Sequence, residues 1–230
     1  MRVIYLFLAT VMMFGCGGGD DNETNEQQGT STTKAQFNGL YQSDDAVMIV
    51  DMYQQGQVIA YDSSNTIYSF DHVYTFSNEL RLHGVQVTFD GGFDHFPDQV
   101  ITVYFENDIA HAATIVNGQS FVHDFKRQPA TLSLDDMVGT HTNQDTGETW
   151  AIESDGTFTV NAYCTLTGQL SPAENYYHSL TATASACPDS NFDGDYQGMV
   201  FSVTIQGEKF LAGAVYNDEG NYMWGYVPLP

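Results

Sequence analysis

Basic side chains are what this chain has least of: 6 Lys and Arg stand against 29 Asp and Glu in 230 residues, a formal net charge of −23. Nucleic-acid phosphates demand a basic face, so that class of partner is excluded. Electrostatic adsorption on anionic lipid is excluded on the same ground. Long apolar runs are missing too: no 18 consecutive apolar residues occur, so no helix of bilayer-spanning length is encoded. Cysteine is limited to three residues and proline to six. Several signatures of chemistry are absent as well, among them the G-x-S-x-G elbow, phosphate-cradling glycine loops and H-E-x-x-H. What the chain does have is aromatic surface. Its 15 Phe and 14 Tyr exceed what a disordered chain carries. Its length suffices for one sizeable core or two small ones.

The first residues read as an address. Met1-Arg2 is a short positive start, and residues 3–14 form an apolar run that as a helix reaches only ~18 Å, well short of a hydrocarbon core. A removable secretory signal over 1–15 fits that length. The run ends Met13-Phe14-Gly15-Cys16, which resembles the lipobox of bacterial lipoproteins, with Met13 where Leu is usual. The resemblance implies lipidation of Cys16 and a lipid anchor in the membrane. A plain signal with another cleavage site is the alternative. Gly17 in place of Asp implies, by the same resemblance, sorting to the outer membrane, with the periplasmic or surface face left open. Three acyl chains at Cys16 would hold far more firmly than one. Residues 17–36 contain one apolar side chain, Ala35, so 16–36 reads as a flexible acidic tether. With Cys16 spent on lipid, Cys164 and Cys187 are left to pair.

The remainder looks duplicated. Shifted by 100 residues, Gly39 meets Gly139, Val50 meets Trp150, Val58 meets Phe158, Ile101 meets Phe201 and Val103 meets Val203. Shifted by 101, Phe121, His123 and Phe125 meet Tyr222, Trp224 and Tyr226. The change of offset falls at a turn, where Asn117-Gly118 is a two-residue hairpin signal and Asn217-Asp218-Glu219-Gly220 is one residue longer. Two modules follow, 37–128 and 135–230. Alternation of apolar and polar residues is clear over 100–105, 121–125 and 201–205, and turn signals recur about every ten residues. The expected class is all-β: two tandem antiparallel modules of seven or eight strands, small up-and-down barrels or, alternatively, β-sandwiches. Cys164 and Cys187 then flank a hairpin turning at 171–175 and can lie side by side at its open end. Module 1 has no such staple. From Asp155-Gly156 through Cys164, Gly168, Asn175-Tyr176 and Cys187 to Tyr196-Gln197-Gly198, the pattern resembles a domain of uncharacterised proteobacterial envelope lipoproteins. It implies a β domain and brings no catalytic residues.

Candidate sites are few. Asp189, Asn191, Asp193 and Asp195, with Gly194, match the first half of a calcium loop, but Val200 stands where the bidentate Glu belongs; an acidic turn is the competing reading. The hairpin count places His111 opposite Asp124, a cross-strand pair rather than a metal site. Tyr222, Trp224 and Tyr226 share one face of the last strand, either as core or as a barrel mouth able to stack on sugars or enclose an apolar ligand. No catalytic residues and no cofactor are expected. The expected role is a non-catalytic structural or partner-binding lipoprotein of the outer membrane. The alternatives are an inhibitor of a basic hydrolase such as lysozyme, with the charge steering a cationic envelope or host protein, and a small-ligand or glycan-binding barrel.

Overall fold

The computed structural model describes residues 36–229 apart from 53–56, 63–65, 90–91, 117–118 and 206. The expected signal segment 1–15, Cys16, nearly all of the tether and the Asn117-Gly118 turn lie outside the described residues.

Among the described residues sixteen strands form two antiparallel meanders. The first comprises β1 (Gly39–Gln42), β2 (Ala46–Asp51), β3 (Gln57–Asp62), β4 (Ile67–Thr75), β5 (Glu79–Phe89), β6 (Gly92–Glu106), β7 (Ile109–Val116) and β8 (Gln119–Arg127). Each pairs with the next, and β1 returns to β8 through Tyr41↔Arg127 and Gln42↔Lys126, closing a barrel. The second comprises β9 (Gly139–Thr142), β10 (Thr149–Ile152), β11 (Thr157–Asn161), β12 (Thr165–Pro172), β13 (Tyr177–Ser185), β14 (Gly194–Ile205), β15 (Glu208–Tyr216) and β16 (Tyr222–Pro228). This sheet curls into a barrel-like form in which β16 comes alongside β9 without a hydrogen-bonded ladder. The expected all-β class and eight-stranded modules are what the chain forms, one a closed barrel and the other a barrel-like sheet.

Alternation fixes each interior. In module 1, Met48, Val50, Leu80, Leu82 and Val103 point inward, and Phe37 closes one end against Phe105 at 4.9 Å between ring centroids. In module 2, Trp150, Ile152, Phe158, Val160 and Leu211 do the same. One end of module 2 is plugged by the linker's single helical turn, α1 (Leu134–Met137). The Ser133 hydroxyl caps that turn by accepting from the Asp136 N–H at 3.3 Å. Met137 is wholly buried there, with Leu132 and Leu134 packed beside it. The longer turn at the far end behaves as read: Gly220 takes a φ of 83°, and its N–H donates to the Asn217 carbonyl at 3.1 Å.

The 100-residue correspondence holds for the early strands, where Val58 and Ala60 face inward like Phe158 and Val160. It fails later. Ile101 and Val103 face the module 1 core, whereas Phe201 and Val203 point away from the module 2 core. Phe121 and Phe125 face inward, whereas Tyr222, Trp224 and Tyr226 pack with the outward set. A one-residue slip in a period-2 element moves every side chain to the other face, so likeness of residue type did not establish equivalence of position.

That reversal creates a seam between the modules. Leu40, Val47 and Ile49, on the outside of barrel 1, share a buried cluster with Met199, Phe201 and Val203, on the outside of module 2. Polar clasps flank it. Asn175, in the β12–β13 turn, accepts from the Leu40 N–H at 2.7 Å and donates to the carbonyls of Leu40 and Gln128 at 3.2 and 2.8 Å. Buried Asp51 meets His178 in a short hydrogen bond. Burial and the nearby Asp51 charge push the Tyr216 phenol well above its usual range.

Cys164 and Cys187 are bonded, their Cα atoms 4.3 Å apart, just outside the ends of β12 and β13. The sequence separation of 23 corresponds to roughly 3 kcal/mol of chain-entropy stabilisation. Reduction, or Cys187→Ser, is expected to lower unfolding free energy by about that amount, read from the shift in urea midpoint at unchanged m.

Candidate functional site: the open mouth of module 2

The two interiors are filled differently. Inside barrel 1 a void of about 10 Å³ lies among Tyr68, Phe70 and Phe121. Module 2 retains a cavity of about 280 Å³ at the end opposite α1. For scale, an engineered apolar cavity of about 150 Å³ accepts benzene.

Register explains the difference. The β6–β7 hairpin closes on Glu106↔Ile109 and the β14–β15 hairpin on Ile205↔Glu208. Counted from there, the Thr114↔Phe121 pair of module 1 occupies the place of Gly213↔Gly225 in module 2. Phe121 fills its barrel, 5.5 Å from the Tyr68 ring. The two glycines leave that space empty and let the Trp150 indole lie against the strands. A Cβ on Gly213 would sit 3.2 Å from the Trp150 ring, and one on Gly225 would sit 3.5 Å from it.

The walls are apolar: Phe158, Val160, Leu166, Val200, Val215 and Met223. Tyr163 and Phe192 meet edge to face at the rim, centroids 5.8 Å apart, beside the Cys164 end of the disulfide. Two polar groups stand in this setting. Trp150 is 5 % exposed and its Nε1–H finds no acceptor among the described residues. Glu148, just before β10, is half-buried at the mouth and pairs with no cationic side chain among the described residues. Burial pushes its carboxyl above the usual carboxylate range, against a hydrogen bond from Thr146 that lowers it.

The aromatic row named from sequence divides between the two expected placements. Tyr222 and Trp224 border the cavity and Tyr226 does not, while all three pack with the outward seam residues. Trp224 stacks on Tyr226 at 6.2 Å.

The acidic turn is spent on local bonds. Asp189 accepts from the Asn191 N–H at 3.0 Å, capping the short 3-10 helix Ser190–Phe192. Asp193 accepts from the Cys187 N–H at 3.0 Å, and Asp195 from the Thr183 hydroxyl at 3.2 Å. Asn191 offers its carbonyl to Asn221 at 3.0 Å. Gly194 has the positive φ expected of it, +143°. Among the described residues no three His, Cys, Asp or Glu side chains gather as metal ligands.

His111 and Asp124 pair across β7–β8 as the hairpin count requires, at 2.6 Å. On β4, burial alone would raise the Asp71 carboxyl, but hydrogen bonds from His95 and Gln86 hold it below its ordinary value. Glu148 and Trp150 were not singled out from sequence. Both belong to no motif, and the glycines that expose them are recognisable only once register is known. Compared with known proteins, the chain matches no family model, no curated protein and no solved structure.

Proposed function

We propose that this chain is a non-catalytic binding protein of the bacterial envelope, anchored to the outer membrane through lipid on Cys16, that holds a small, largely apolar molecule in the mouth of module 2. The cavity carries the reading. It is concave, aromatic-walled and open at one end, with one carboxyl at its border, which is how ligand sites are built. The anchor and the outer-membrane address rest on the Gly15-Cys16 signal, and incorporation of labelled palmitate that Cys16→Ala abolishes would support them.

Both tryptophans of the chain border the cavity, so intrinsic fluorescence reports occupancy. Titration of the full chain with the neutral probe N-phenyl-1-naphthylamine is expected to quench that emission saturably. Gly225→Leu places a side chain into the cavity from a position where a Cβ meets only ordinary contacts. It is expected to weaken probe affinity at least about tenfold, the loss of roughly 1.4 kcal/mol of contact, with the thermal midpoint nearly unchanged. Equal affinity in the two proteins would remove the cavity as the site and return the chain to a structural or protein-partner role.

A further inference from the structure

We infer that the ligand of this mouth is a small organic ammonium compound, quaternary or fully alkylated, whose charge sits between the aromatic rim and the Glu148 carboxylate. The inference rests on the proposed cavity reading and narrows it to a chemical class. Three independent features converge on a cation.

The first is the character of the rim and walls. Trp150, Phe158, Tyr163 and Phe192 border the cavity. Aromatic faces attract a cation through their quadrupoles, most strongly when it is desolvated and lacks N–H groups that would demand hydrogen-bond partners. The second is Glu148. Among the described residues it is the single acidic group bordering the cavity and no Lys, Arg or His neutralises it, and it is half withdrawn from water. A carboxylate left in this state is destabilised unless a charge of opposite sign comes to it. A bound ammonium supplies that charge. The third is the field of the whole molecule. At −23 it concentrates cations and repels fatty acids and other anions of similar apolar size.

Choline and 3,3-dimethylbutan-1-ol have the same shape and the same hydroxyl and differ in charge alone, so titrating the full chain with each isolates the charge. Choline is expected to quench the tryptophan emission with about tenfold or better preference over the neutral alcohol. Glu148→Gln keeps the shape and removes the charge, and is expected to bring that ratio toward one by weakening choline. Equal affinities in the wild-type chain would overturn the ammonium assignment while leaving the cavity reading intact, because the neutral probe would still bind. Failure of the neutral alcohol, choline and the naphthylamine together would overturn both. A ratio that persists in Glu148→Gln would overturn the role of the carboxylate. Monomeric dihexanoylphosphatidylcholine separates the two sources of this chemistry: tighter binding than choline assigns a lipid headgroup, and weaker binding assigns a free amine.

Discussion

Replacing His178 with alanine is expected to lower the melting temperature of the chain by roughly 5 °C, the equivalent of about 1.5–3 kcal/mol for a buried hydrogen bond to a carboxyl. Asp51 closes β2 at 1 % exposure, and His178 on β13 is 9 % exposed. Their hydrogen bond is a direct side-chain link across the seam. Removing the imidazole takes one partner from a carboxyl that is withdrawn from water, with Tyr216 close enough to feel its charge. The cost therefore combines the lost bond with the desolvation of Asp51 that the imidazole no longer offsets. A double variant, Asp51→Leu with His178→Leu, should recover most of the loss, since buried ion pairs can be exchanged for apolar ones nearly neutrally. Calorimetry on the two single variants and the double one closes the cycle. If His178→Ala melts within two degrees of wild type, the pair does not hold the modules together.

Much of the fold was readable because β structure writes its burial directly into sequence. The alternation over 100–105 corresponds to Ile101 and Val103 inside β6 with Val100 and Tyr104 outside. The Cys164–Cys187 bond and the His111–Asp124 pair both follow from counting along a hairpin, which needs only a turn position and antiparallel geometry. Faces were harder. Residues 46–50 and 199–201 are apolar without alternation because both sides of β2 and β14 are buried, one against a barrel interior and the other in the seam. A continuous apolar run in an antiparallel sheet was the available sign that a second buried surface existed. The 100-residue comparison obscured that sign by setting inward Ile101 on outward Phe201. The cavity was illegible for a different reason. It is made by Gly213 and Gly225, and two missing side chains acquire meaning only when the strand pairing says that they stand side by side across from Trp150.

The seam also determines how the molecule should melt. Tandem modules joined by a short linker would ordinarily unfold separately, with module 2 the later of the two because it alone carries a disulfide. Here Phe201, 1 % exposed, reaches out of module 2 into the cluster that includes Leu40 and Ile49 of module 1. The wild-type chain should therefore show one transition, with far-UV circular dichroism and tryptophan emission coincident. Phe201→Ala removes a fully buried ring from that shared cluster at an expected cost of about 3–5 kcal/mol. Because the ring lies outside both barrel interiors, the loss falls on the coupling and should split the transition rather than merely lower it. Trp150 lies inside module 2 and Trp224 in the seam, so the opening of barrel 1 should register first in the dichroism and in the Trp224 part of the emission, and the Trp150 part should follow at higher temperature. Coincident curves in Phe201→Ala, shifted together or not shifted at all, would mean that the two barrels are coupled by their polar clasps and not by the apolar seam.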